Sequence, residues 1–501
     1  MPHTAPAAPF RRRARRWAAA ALAVLGVGGS GVLAGCATNP VTGRREIALI
    51  SQDQEIQMGQ QGAAEVEQTL GLVPDEALQR YVQAIGADLA ARSQRPNLPW
   101  RFRVVDDPTP NAFALPGGFI YVTRGLLALM ENEAELASVL GHEIGHVTAR
   151  HSVSQMSRAQ LAQLGLGIGA VLSPTVGQLG QALGSGLQLL FLKYGRDDER
   201  ESDRLGFDYA LAAGYDVREM DDVFAALGRL SEAAGQSPVP SWAATHPDPG
   251  ERVQTAQRRA AELGRPTAEL RTDREEFLAR IDGLIYGENP RNGFFRQGTF
   301  VHPELRFTLA LPPQWQAQNT PQAVVAVSPQ QDAALQLTLA QGADPQAAAR
   351  RFLSQQGLQP GQAAAVTVNG VPAVASYFQA ATEQGTIQGL VAFFGYDGRT
   401  YQLLGYAPQP RFAQYDPVFR QVVGSFAPLT DPALLAVRPD RLQVVPLSGA
   451  TTIADLARRY PSPSVTPELL AILNQAAGPT STLPAGTRAK VVTSGGAGGA
   501  R

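Results

Sequence analysis

Two of the six histidines in this 501-residue chain stand four residues apart, in the run His142-Glu143-Ile144-Gly145-His146. Around them Leu136, Val139, Leu140, Ile144 and Val147 recur at helical spacing. Asn132 is placed to cap that helix, and Glu135 three residues on can complete a capping box. On one helix face the two imidazoles lie one turn apart and can reach a single zinc ion at about 2.0–2.1 Å. Glu143 lies about 60–100° round the helix from them, so it can act on a water molecule at the metal without ligating the metal. The remaining ligand has to come from another part of the fold.

The position six residues beyond His146, where one class of zinc peptidases carries a third histidine, is Ser152. His151 is one residue short of it. Nine residues from His142 on a continuous helix, His151 faces the opposite side, where it reads as a packing or hydrogen-bonding residue at the helix end. The third ligand is therefore expected to be a carboxylate on a later helix. A helix is expected from about Asp197 to Ala213, with an acidic first turn and Gly214 to stop it. It carries Glu199-Arg200-Glu201-Ser202-Asp203. Glu199 and Asp203 share a face, with Glu199 as zinc ligand and Asp203 accepting the outer N–H of a ligand imidazole. Glu201 points elsewhere.

The chain has one cysteine, which excludes an internal disulfide and a cysteine-built zinc cage. Its net charge of −1 offers no basic field for nucleic acid. The cysteine ends a targeting segment. Arg11, Arg12, Arg13, Arg15 and Arg16 precede an apolar run from Trp17 to Leu33, which closes on Leu33-Ala34-Gly35-Cys36. This resembles a bacterial lipoprotein signal over residues 1–35, with Cys36 the lipidated first residue of the mature chain. Ala37 after it is the pattern of Gram-negative lipoproteins directed to the outer membrane. The expectation is an exported protein, lipid-anchored there and facing the periplasm.

Residues 52 to 94 read as two helices, with Pro74 in the first turn of the second. Phe102 to Val105 reads as a strand, and Asn111 to Arg124 as a hairpin turning on Pro116-Gly117-Gly118. The Gly-, Leu- and Gln-rich stretch 161–192 is too interrupted to span a membrane and reads as helix–loop–helix. After about residue 290 alternating strand patterns take over, with one helix near Pro345 to Gln356. The expected class is α+β: a mainly helical zincin-type domain over 36–290 with a small sheet, then an α+β domain over 295–430. His302 in that second domain reads as a structural or exposed residue. A small module over 437–493 resembles a LysM unit, which binds peptidoglycan glycans, although Ala450 departs from its usual Asp. The tail 494–501 is Gly-rich and read as flexible.

Four motifs in order resemble the zinc metallopeptidase family that contains the HtpX heat-shock protease, the BepA envelope protease and the CAAX prenyl proteases. They are Asn111-Ala112-Phe113-Ala114-Leu115-Pro116-Gly117-Gly118, the run His142 to His146, the pair Glu199 and Asp203, and His246-Pro247 with Arg252. The resemblance covers about residues 36–260, and Thr38 to Arg44 is similar to the mature start of lipoprotein members. Ser202, usually alanine in the family, departs from it. The chain also lacks the several membrane helices of some members and the tetratricopeptide tail of BepA. The resemblance implies an endopeptidase with one zinc per chain, cutting misfolded or misassembled envelope proteins. Glu143 would take the proton of the zinc-activated water that attacks the peptide, and pass it to the leaving amine. Asn111, Ala112, Phe113 and Ala114 would lie on an exposed edge strand that holds the peptide extended. His246 or Arg252 would stabilise the oxyanion; in BepA-like relatives the equivalent of His246 can instead sit on the zinc as a fourth, inhibitory ligand. The competing reading is a non-enzymatic envelope lipoprotein, a chaperone or peptidoglycan binder with a vestigial zinc site. The intact Glu143 favours the enzyme.

Overall fold

The structure, a computed structural model, describes residues 36–163, 194–233, 246, 249–264, 266–382 and 385–495. The expected signal segment 1–35, most of the stretch 161–192 and the tail from residue 496 lie outside the described residues. Helices and strands are mixed as the α+β expectation requires, and among the described residues no helix is long and apolar enough to cross a membrane.

The described chain opens on a short antiparallel pair, β1 (Cys36–Thr38) and β2 (Arg45–Ile47). Between them Asn39 is buried, and its side-chain amide donates to the carbonyl of Ala149. Helix α1 (Gln52–Leu70) starts on a capping box between Ser51 and Gln54. Helix α2 (Glu76–Ala90) is capped by Asp75, whose carboxylate accepts the amides of Ala77 and Leu78. Pro74 thus lies just outside the helix rather than in its first turn, because the Asp75 cap is the stronger start signal.

Strands β3 (Arg101–Val105), β4 (Ala112–Leu115) and β5 (Phe119–Thr123) form a three-stranded sheet in the order β3-β5-β4, with β3 parallel and β4 antiparallel to β5. The β4–β5 turn needs left-handed backbone at Gly117 and Gly118, with φ of 80° and 104°. A Cβ at Gly117 would also stand 2.7 Å from Ile56 Cα, so α1 seats directly on the turn. Strand β4 is the sheet edge in its pairing, yet every side chain from Ala112 to Leu115 is buried. α1 and the next long helix cover the two faces of this edge strand.

That helix is α4 (Glu133–Thr148), which follows the short α3 (Arg124–Leu129). Asn132 caps it, accepting the amide of Glu135. Glu135 answers with one oxygen on the Asn132 side chain and the other on the Glu131 amide. All sixteen residues of α4 are buried, not only the predicted stripe. Around it stand α5 (His151–Gln163), α6 (Arg196–Ala212), α7 (Met220–Ala233), α8 (Pro249–Glu262) and α9 (Arg274–Ile281).

Residues 294–428 carry a four-stranded sheet and an eight-stranded antiparallel sheet. In the latter the long neighbours Val371–Thr382, Gly385–Tyr396 and Arg399–Pro408 pair in sequence. Two helices pack here, Pro345–Leu353 and Phe412–Ser425. Sequence reading saw only the first, since Pro417 inside the second masks a stripe of Phe412, Tyr415, Phe419 and Val422 that faces the core. His302 is partly buried, accepting the amide of Leu305, and burial pulls its pKa down to about 4. The last segment runs strand, two helices, strand, with Arg441–Pro446 paired antiparallel to Arg488–Thr493. It has its own small apolar cluster, but Leu442, Ile472, Leu473 and Val492 belong to the same core as α4.

Candidate metal centre

Helices α4 and α6 cross with their backbones in near contact. A Cβ on Gly206 would lie 2.6 Å from the His142 amide nitrogen, and one on Gly145 would lie 3.0 Å from Ser202 Cα. Small residues at this crossing bring the two motif faces together. His142, His146, Glu199 and His246 each offer a ligand atom, all within 4.8 Å of one another, and all four residues are buried. The Nε2 atoms of His142 and His146 are 3.0 Å apart. The Glu199 carboxylate lies 3.6 Å from His142 Nε2 and 3.5 Å from His146 Nε2. Ligands on a tetrahedral zinc at 2.0–2.1 Å sit about 3.4 Å from one another. The spacing and the nitrogen–oxygen donor set therefore fit that ion.

Electrostatics agree. Burial holds the His146 imidazole well below its usual pKa, helped by His142, His151, His246 and Arg252. That direction favours the neutral ring a metal ligand requires. Glu199 is held below the usual carboxylate range: burial opposes this, and His246 and Arg252 outweigh it. Glu143 stands beside the cluster, fully buried, and neither of its oxygens has a hydrogen-bond partner among the described residues. Burial raises its pKa, as suits a group that must take up a proton, although His246 and His142 oppose the rise.

Asp203 lies behind His142, with Oδ1 2.8 Å from Nδ1. Arg252 grips the same carboxylate at 2.6 and 2.9 Å, comes within 3.2 Å of Glu199 and lies over the Phe224 ring. Burial works against charge on Asp203, but Arg252 and His142 hold its pKa far below the carboxylate range. Arg252 is in the first turn of α8, which Pro249 opens, because proline is well suited to a first helical position. His246 is buried, with Nδ1 3.0 Å from Glu199 Oε1 and 3.3 Å from His142 Nε2, and Nε2 3.6 Å from Glu143. Pro247 and Asp248 lie outside the described residues. Burial lowers the His246 pKa, and Glu199 more than reverses this to leave it raised.

Two further residues stand against His146. Tyr194 stacks on His146, ring centroids 3.9 Å apart, with its hydroxyl on Ser152 at 2.9 Å. No sequence signal marked it. His151 was expected on the far side of a continuous helix, and that is corrected. The helix ends at Thr148, Arg150 takes a left-handed φ of 60°, and His151 turns back to lie 3.0 Å from His146. Glu201, pointing away from the ligand cluster as expected, meets His151 at 3.3 Å. Asn111 precedes β4, exchanging backbone hydrogen bonds with Thr123 through that residue's hydroxyl and amide.

Residues 76–260 match the profile of Peptidase family M48. Over 239 residues the chain is 32% identical to the beta-barrel assembly-enhancing protease of Yersinia pestis, covering 46% of this chain and 49% of that one. Over 263 residues it is 28% identical to the protein of that name from Escherichia coli K12, covering 51% and 53%. It is 31% identical over 220 residues to the mitochondrial metalloendopeptidase OMA1 of Schizosaccharomyces pombe, covering 43% and 64%. The chain thus spans about half the length of the first curated relatives it matches.

Proposed function

We propose, on the premise that residues 76–260 form a peptidase M48 domain, that the chain is a zinc endopeptidase acting on proteins of the bacterial envelope. The observation that carries this reading is the convergence of His142, His146 and Glu199 beside a buried Glu143 whose carboxylate has no hydrogen-bond partner among the described residues. His142, His146 and Glu199 would hold one zinc. The ion when bound supplies Lewis acidity toward the scissile carbonyl and toward water. Glu143 takes a proton from the attacking water and returns it to the departing amine, and its burial keeps that exchange free of bulk solvent. Asp203, gripped by Arg252, accepts the outer N–H of His142 and fixes its tautomer. Arg252 thereby acts as an orienting residue. The backbone edge of β4, preceded by Asn111, offers the place for an extended peptide.

The relatives named as beta-barrel assembly-enhancing proteases support an envelope setting. The export pattern ending in Cys36 supports lipid anchoring to the outer membrane, with the catalytic part in the periplasm. The strand–helix–helix–strand segment at the C-terminus would carry any peptidoglycan contact. Removing the metal with a chelator should abolish cleavage of casein by the purified mature protein, and added zinc should restore it. Cleavage that survives chelation would overturn the reading.

A further inference from the structure

Each imidazole that faces the centre through Nε2 has a second nitrogen turned outward, and the two are satisfied differently. His142 Nδ1 lies 2.8 Å from the Asp203 carboxylate, which accepts an N–H outright. His146 Nδ1 lies 3.0 Å from His151 Nδ1. Between two neutral imidazole nitrogens at that distance one must donate and the other accept. His146 Nε2 stands 3.0 Å from His142 Nε2 and 3.5 Å from Glu199, and a ligating nitrogen must carry no proton. The proton of His146 is then on Nδ1, so His151 Nδ1 has to accept it. That leaves the proton of His151 on Nε2, and Glu201 Oε2 lies 3.3 Å from that atom.

We propose that His151 and Glu201 form a relay that sets the tautomer of His146, with Glu201 accepting from His151 Nε2 and His151 Nδ1 accepting from His146 Nδ1. His146 Nε2 is thereby left with its lone pair toward the metal. The proposal rests on the metal-centre reading above and adds two positioning residues to it. The Ser202 hydroxyl also lies near His151 Nδ1, at 3.4 Å. Tyr194 stacked on His146 keeps the ring in plane, and its hydroxyl is held by Ser152. The backbone is shaped for the contact. A left-handed arginine is uncommon, and Arg150 is held so by its side chain, which donates to Glu55 at 3.0 Å and to the Ile50 carbonyl at 2.9 Å. Without that turn His151 would continue along the helix and miss His146.

The test measures the zinc dissociation constant by chelator competition for wild type, His151→Leu, His151→Gln and Glu201→Leu. It also reads imidazole tautomers by ¹⁵N NMR in zinc-loaded wild type. His151→Leu should weaken zinc by about 10–100-fold, the usual loss when the outer partner of a ligand is removed. Glu201→Leu should weaken it in the same direction. His151→Gln keeps a carbonyl that accepts from His146 and should recover most of the affinity. The spectrum should show His151 protonated on Nε2. Unchanged affinity in His151→Leu, equal loss in His151→Gln, or His151 protonated on Nδ1 would overturn the relay, and the last needs no variant to fold. A wild type that binds no zinc would instead overturn the metal-centre reading beneath it.

Discussion

His246 Nδ1 stands as close to Glu199 and His142 as those groups stand to each other. A donor reserved for the oxyanion would sit across the site from the ligands, facing the scissile carbonyl. A fourth group among the ligand atoms instead closes the position that water needs. Of the two roles open for His246, the geometry therefore favours a resting-state cap. His246→Ala should retain zinc and raise basal proteolysis several-fold, measured as zinc content and casein turnover. A fall in kcat of about 10²–10³ would point to the oxyanion role, and unchanged turnover would leave neither. At this scale the sequence was most legible where one periodicity governed the outcome. Helical spacing paired His142 with His146 and Glu199 with Asp203 on shared faces, and the structure brings those two faces together. The spacing failed at His151, because a left-handed Arg150 supported by the distant Glu55 is a tertiary effect with no local signature.

Helices α4 and α6 owe their approach to glycine. A Cβ on Gly206 would fall 2.6 Å from the backbone nitrogen of His142 and 2.9 Å from the carbonyl carbon of Gly141. Neither neighbour is a flexible side-chain tip, so the helices would have to part. Gly206→Ala should cost about 1–3 kcal/mol of stability and weaken zinc binding, because Glu199 moves with α6. Thermal unfolding and chelator competition would check this. Wild-type values for both would show that the close crossing does not position the ligands. The existence of these helices was readable from caps and stripes, and so was the β4–β5 hairpin from its glycines. The burial of the β4 side chains was not, since alternation along a strand does not reveal that α1 and α4 cover its two faces. Helix Phe412–Ser425 was hidden by Pro417, a residue that argues against helix locally while apolar burial overrides it.

Across the whole molecule, the C-terminal segment is tied to the start of the metal-bearing helix. Lys490 is fully buried; its ammonium donates to the carbonyls of Ala128 and Met130 and pairs with Glu131 at 3.2 Å. Gln475 donates to Glu135 at 2.8 Å, and Arg229 donates to the Ala476 carbonyl. Burial pushes the Glu135 carboxyl well up, opposed by the charge of Lys490, and the Lys490 ammonium down, opposed first by Glu131 and then by Glu135. Removing one partner leaves buried charge unanswered. Lys490→Met should therefore destabilise the protein by about 3–5 kcal/mol, read from denaturant midpoints. A change under about 1 kcal/mol would mean that the segment is held by its apolar contacts alone. Sequence could bound this segment, but not show its shared core with α4, because that depends on which face docks.

The proposed function turns on Glu143 acting as the proton-transfer group of a zinc site it does not help to build. The most direct test compares wild type with Glu143→Gln for bound zinc and for casein cleavage in the same preparations. Both proteins should carry about one zinc per chain, and the variant should lose cleavage by about 10²-fold or more. Equal cleavage by the two, or a wild type that holds zinc but cuts nothing, would contradict it.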